Sequence, residues 1–364
     1  MSSISDFKFP LIIDLGSDNI KVGISGETNP KLIFKNIIGV NKFKNEDRKF
    51  IGEECNNINI LKIRNIVENG IVLNINDIIP LFNFIYKKLS IPENEIREHP
   101  ILISEPILNI KKNREKISSI LFDNLNIPAL SFCSQPILSI FSTSLTSGII
   151  LESGEGITQS CIIQNGIPIK NTFVRCDYGG REVTYYLKDI FKNSGYSFLT
   201  FSDILMLKNI KEQICYINVD NKFPNESEFK LPDGSNIKIA EEKILSSELL
   251  FNPSLNNLKY LSFQEMIIKS VNNFDIQLRR NMYENIIIFG GNTLFKGIQE
   301  RLNKEIKKLA PKHTKIKILS SPKRINSCVI GGNIISKMSS FNNMWILKEE
   351  FLDKGFSIIY DKGI

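Results

Sequence analysis

The stretch Pro10-Leu-Ile-Ile-Asp-Leu-Gly-Ser-Asp-Asn-Ile-Lys-Val-Gly23 reads as a buried strand, a tight turn and a second strand. The pattern returns at Gly148–Gly166, where Ile150-Leu-Glu-Ser-Gly-Glu155 aligns with Ile12-Ile-Asp-Leu-Gly-Ser17. Each copy is an apolar strand ending in a carboxylate, then one residue, then glycine. Glycine allows the tight turn and brings a backbone N–H close to a phosphate oxygen. A carboxylate at the strand end repels phosphate but suits the water shell of Mg²⁺, which takes oxygen ligands and retains several waters. Lys21 can reach phosphates as a point charge. One copy alone reads as an ordinary β-hairpin. Two copies, with Gly290-Gly291 at a strand-to-helix junction, point to a nucleotide-phosphate cleft between duplicated lobes. Neither G-x-x-x-x-G-K-[ST] nor G-x-G-x-x-G occurs.

The remaining sequence bounds this reading. A chain of 364 residues suits two lobes, and 42% hydrophobic with 23% charged residues is ordinary for a globular protein. Six cysteines without a Cys-x-x-Cys pair predict reduced, mostly buried thiols. The two histidines, His99 and His313, are far apart and give little support to an imidazole metal site or a His-based nucleophile relay. No apolar run approaches the roughly 20 residues of a membrane span, and Met1–Pro10 lacks the shape of a signal peptide. The expectation is a soluble protein of the cytoplasm or nucleus. Much of the formal charge of +7 sits in Lys304, Lys307, Lys308, Lys312, Lys315 and Lys317. No aromatic residues interleave with them, so a solvated face is favoured over a nucleic-acid patch.

Along the chain, helical spacing covers Ile75–Leu89, with Asn76 or Asp77 as the N-cap. Pro100–Ser104 is a short strand, and Asn113–Leu125 is a helix with Ile117, Ile120, Leu121 and Leu125 inward. Gly179-Gly180 opens an amphipathic helix carrying Val183, Leu187, Ile190 and Phe191. Leu231-Pro-Asp-Gly-Ser235 is a hairpin turn. Strand Ile286–Phe289 leads to helix Ile298–Leu309. Strands alternating with helices make the class α/β.

At these residues the chain resembles the actin family, within the wider actin, sugar-kinase and heat-shock-chaperone ATPase fold. The resemblance runs nearly end to end. It includes Glu98-His-Pro-Ile-Leu-Ile-Ser-Glu105, Asn113-Arg-Glu-Lys116, Gly179-Gly-Arg-Glu182, Gly195-Tyr-Ser-Phe198 and Ile210-Lys-Glu-Gln-Ile-Cys-Tyr216. Further matches are Phe251-Asn-Pro-Ser254, Gly290-Gly-Asn-Thr293, Ala310-Pro311, Ile330-Gly-Gly332 and Met344-Trp-Ile346. The resemblance implies two lobes, each with a core sheet and flanking helices, and a nucleotide cleft between them. It places subdomain 1 at 1–32, 66–140 and 325–364, subdomain 2 at 33–65, subdomain 3 at 141–178 and 260–324, and subdomain 4 at 179–259. It implies ATP or ADP with Mg²⁺ as cofactors. Asp14, Gln135 and Glu152 then hold water around the metal, and Gly16, Ser17, Lys21, Gly154 and Gly156 cradle phosphates. Gly180, Lys211, Glu212, Gly291 and Ile325 match positions round the adenosine. Gln135 and Gln159 match the residues beside the attacking water.

The departures from the pattern carry as much meaning. Asp18 replaces a glycine used against the β-phosphate, at a Coulomb cost unless it turns away or pairs. Glu152 stands for an aspartate, Gln159 for a histidine and Ile325 for a lysine. Gln159 cannot relay a proton as imidazole does. Together these changes predict weaker nucleotide binding and slow or lost hydrolysis. The loop at residues 40–51 is shorter than the family's DNase-binding loop. Lys42, Lys44, Glu46, Asp47 and Arg48 surround Phe43 with charge where a filament contact excludes water. The expectation is a divergent actin-related protein, a cytoskeletal or complex-forming subunit partnered by other actin-family or cytoskeletal proteins. A conventional polymerising ATPase and a nuclear chromatin-remodelling scaffold are the alternatives.

Overall fold

Why the chain starts with a hairpin is visible in its burial. Leu11–Leu15 is buried at every position, while the antiparallel partner Asn19–Ile24 alternates. A strand buried on both faces belongs inside a sheet with parallel neighbours. In the computed structural model, which describes residues 4–42, 48–55, 60–220, 222–231 and 234–362, Leu11–Leu15 indeed lies parallel to Ile101–Glu105. The chain divides into two units, Met1–Thr146 with Asn165–Ile167 and Asn326–Ile364, and Ser147–Gln164 with Pro168–Ile325.

The sheet of the first unit runs Leu32–Lys35, Asn19–Ile24, Leu11–Leu15, Ile101–Glu105, Ala129–Ser134, Ile346–Leu347. In the second unit Val174–Cys176, Thr158–Gln164, Gly148–Ser153, Ile286–Phe289 and Ile318–Leu319 follow in the same manner. Both begin as an antiparallel three-strand meander and continue with two parallel strands. The repeat seen in two short loops is therefore a repeat of whole sheets. The architecture is mixed α/β, the class that the alternation of strands and helices predicts.

Each sheet has its own apolar core. Ile78, Leu81, Phe82 and Ile85 of helix Ile78–Lys88 pack in the first unit, and Val183, Leu187 and Phe191 of helix Gly180–Asn193 in the second. Helices Gln135–Phe141 and Ser327–Ile335 cross so closely that a Cβ at Gly331 would lie 1.6 Å from the Leu138 carbonyl oxygen. All six cysteines are buried and none forms a disulfide, and burial pushes the Cys55 and Cys215 thiols up to about 11. His99 is buried, its Nδ1 2.9 Å from the Phe9 carbonyl oxygen. Helix Ile298–Leu309 buries Ile298, Leu302 and Ile306 and leaves Lys304, Lys307 and Lys308 exposed, a solvated face as expected. Among the described residues, no helix is long and apolar enough to cross a membrane.

The helix start near residue 76 matches the sequence reading in position and corrects it in which side chain makes the capping bond. Asn74 supplies the cap, its side chain accepting from the Asn76 N–H at 3.1 Å ahead of the short turn Ile75–Asp77. Asp77 occupies the N-cap position of helix Ile78–Lys88, as expected, but its carboxylate makes no capping hydrogen bond. That fully buried carboxylate instead pairs with Lys49, at 3.0 Å, and with Arg64. Lys49 and Arg64 belong to the outer strands of a small sheet, Lys49–Ile51, Ile37–Asn41 and Leu61–Asn65. A local signal for a cap was overridden by charges that only the fold brings near. Of the loop at 40–51, Phe43, Lys44, Glu46 and Asp47 lie outside the described residues, as do Pro232 and Asp233 of the hairpin turn. The strands flanking that turn, Ser227–Lys230 and Asn236–Ile239, pair antiparallel.

Candidate functional site

In the first hairpin, register sets the chemistry. Asp14 lies opposite Lys21 in the antiparallel pair and beside Ser104 in the parallel one. Its Oδ1 accepts from Ser104 Oγ at 2.6 Å and from Gln135 Nε2 at 3.2 Å, while Lys21 Nζ stands 3.6 Å from Oδ2. Gln135 opens helix Gln135–Phe141, directly after strand Ala129–Ser134, so its side chain leaves the sheet at the same end as Asp14. Two hydrogen-bond donors and one ammonium thus surround one buried carboxylate.

The turn that follows, Gly16 to Asn19, needs its glycine: a Cβ on Gly16 would sit 2.5 Å from the Asn19 carbonyl oxygen. The Ser17 hydroxyl accepts from the Asn69 N–H at 3.1 Å. Asp18 does pair. Lys35 Nζ lies 3.2 and 3.3 Å from its two oxygens, and Asn19 Nδ2 donates to Oδ2 at 2.6 Å. Fully buried Asn36 ties the turn down, donating to Ser17 O at 2.9 Å and Val67 O at 2.6 Å.

The second hairpin has the same register, with Glu152 opposite Gln159 as Asp14 is opposite Lys21. Here the partner is an amide, and Gln159 Nε2 donates to Glu152 Oε2 at 3.0 Å, both residues being buried. The turn Gly154 to Ile157 closes through a Gly154 N–H to Ile157 O bond of 2.9 Å. Gly180 and Arg181 donate their N–H groups to Gly154 O and Glu155 O, each at 2.9 Å, so helix Gly180–Asn193 starts against this turn. Lys211 Nζ donates to Gly180 O at 2.7 Å and Thr184 Oγ1 at 2.8 Å, and Lys208 pairs with Glu155 at 3.1 Å. Asn292 reaches in from the Gly290-Gly291 junction, donating to Ser153 Oγ at 2.9 Å and Gly154 O at 2.7 Å. Gly290 is at φ +88°, and a Cβ there would lie 2.2 Å from Ser153 O, so only glycine fits.

The structure therefore gathers Asp14, Gly16, Ser17, Lys21 and Gln135 in one unit and Glu152, Gly154, Gly156, Gln159, Gly180 and Lys211 in the other. Glu212, adjacent to Lys211 on helix Phe201–Ile214, is exposed, as are Gly291 and Ile325. Sequence reasoning passed over Ser104 and Asn292. Ser104 is a polar residue at the end of an otherwise apolar strand, and Asn292 lies within Gly290-Gly-Asn-Thr293, so both carried a signal. The Lys35 contact with Asp18 carried none, because it is made between strands.

The residues fit a phosphate ligand with Mg²⁺. Among the described residues, the N–H groups of Ser17, Glu155 and Gly156 meet no acceptor in the chain. A turn N–H with no acceptor in the chain is free to donate to an anion. The polar groups at the strand ends offer oxygen donors, the kind Mg²⁺ takes.

A family model described as Actin matches residues 6–363. The chain belongs to the actin family. An actin-like protein of Neurospora crassa is 35% identical to this actin-family chain over 361 residues, 93% of each sequence. At that identity the chain is a divergent member, consistent with the substitutions at Asp18, Glu152 and Gln159.

Proposed function

We propose that this actin-family protein binds ATP or ADP with Mg²⁺ and serves as a cytoskeletal or multiprotein-complex subunit, with slow or lost hydrolysis. The two phosphate-type turns would hold the nucleotide, with Lys21 as the cationic contact. Asp14, Gln135 and Glu152 would hold Mg²⁺ through water, and the ion would supply charge neutralisation at the phosphates. Gly180, Lys211, Glu212, Gly291 and Ile325 would face the adenosine.

The observation that carries the hydrolysis part is the bond between Gln159 and Glu152. A water attacking phosphorus must lose a proton, and the group that takes it needs a pKa near the working pH. Gln159 has no such pKa, and its amide already orients Glu152. Gln135 can position a water by accepting and donating, but it cannot take the proton. What remains is a site suited to holding nucleotide as a structural ligand, stabilising the folded chain by mass action.

One preparation tests this. The purified protein is denatured and the released nucleotide identified, while a parallel sample is spun at high speed with ATP and Mg²⁺. Nucleotide without pelleting or phosphate release is the expected result. The oriented Asp14, Lys21 and Gln135 favour a second reading, a polymerising ATPase, which pelleting coupled to phosphate release would establish instead.

A further inference from the structure

We propose that Lys35 is a specificity residue that makes a carboxylate tolerable in the phosphate-facing turn and so sets how the chain responds to phosphate charge. The inference rests on the nucleotide reading above and adds a residue outside its predicted site. Asp18 stands in the turn Gly16 to Asn19, next to the Ser17 N–H that meets no acceptor among the described residues. Its two oxygens lie 3.2 and 3.3 Å from Lys35 Nζ. The contact is held by backbone. Lys35 is the cross-strand partner of Asn19, and the Asn36 N–H donates to Asp18 O at 2.8 Å. Buried Asn36 adds its amide bond to Ser17 O at 2.9 Å, and accepts from the Val67 N–H at 3.0 Å. Residues 35 and 36 are thus fastened to residues 17 to 19 at several points.

The side chains of Asp18 and Lys35 are 24% and 42% exposed, and an ion pair that open to solvent adds little to stability. Its consequence lies in the local field. A lone carboxylate in the turn repels a phosphate, whereas a carboxylate against an ammonium presents a dipole whose field decays faster. Without Lys35 the repulsion returns, in proportion to ligand charge. ATP suffers most, ADP less, and adenosine not at all.

The test measures dissociation constants for ATP, ADP and adenosine in Mg²⁺ buffer for the wild type, Lys35→Gln, and the double variant Asp18→Gly with Lys35→Gln. Lys35→Gln should weaken ATP roughly tenfold, ADP less, and leave adenosine within about twofold, the loss shrinking as salt is raised. The double variant should regain wild-type ATP affinity, because the charge that needed compensation is gone. The inference fails if Lys35→Gln weakens all three ligands equally or none of them, or if the double variant does not recover. A wild type that binds none of the three overturns the nucleotide reading and this inference with it.

Discussion

Gln159 donates its amide to Glu152 at 3.0 Å across the second hairpin, in the register position where the first hairpin sets Lys21 against Asp14. Two equivalent positions have diverged in chemistry, one cationic and one neutral. On the proposed function, replacing the neutral member by imidazole returns a group able to accept a proton. Gln159→His should raise phosphate release by roughly 10²-fold in a single-turnover assay with bound ATP. An unchanged rate would show that hydrolysis is limited by something other than proton transfer.

Asp77 is fully buried and answers both Lys49 and Arg64, whose side chains are 23% and 32% exposed. Removing the carboxylate leaves two cations facing each other across a partly dry site. Asp77→Ala should destabilise the first unit by about 2–3 kcal/mol, less than the roughly 3–5 kcal/mol of a fully buried pair because both cations retain some water. Hydrogen exchange should speed up in Ile37–Asn41 and Leu61–Asn65 before the core strand Leu11–Leu15 is affected.

Gly331 permits the crossing of helices Gln135–Phe141 and Ser327–Ile335, where a Cβ would fall 1.6 Å from Leu138 O. Gly331→Ala should cost about 3 kcal/mol in denaturant unfolding, because backbone rather than a flexible side chain must move. Gly291→Ala is the control. Its Cβ would meet nothing within 4 Å, so stability should shift by no more than about 0.5 kcal/mol.

Asp203 accepts the N–H groups of Thr200 and Leu199 at the start of helix Phe201–Ile214, at 2.7 and 2.8 Å. These bonds, that from Thr200 first, hold its carboxyl below the ordinary value of 3.8. A depressed carboxyl stabilises the folded helix end above the unfolded pKa, and the contribution is lost as pH falls below 3.8 through the folded value. Amide exchange at residues 200–206, corrected for its intrinsic pH dependence, should lose protection in that acid window. Asp203→Asn should remove that pH response.

The sequence by itself determined the family, the α/β class and the pair of turns, because apolar strands, obligatory glycines and strand-end carboxylates are local features. Asp14, Gly16, Glu152 and Gly154 were legible for that reason. The helices at Gly180–Asn193 and Ile298–Leu309 were legible from spacing alone. Only the tertiary structure decided what the charged side chains face. It turned the carboxylate of the N-cap residue Asp77 away from the helix to anchor the small sheet, set Ser104 on Asp14, brought Asn292 across to Gly154, and gave Asp18 its partner in Lys35. An ion pair or side-chain hydrogen bond depends on a separation of a few ångströms between residues far apart in the chain. Strand register fixes that separation, and neither periodicity nor composition encodes it.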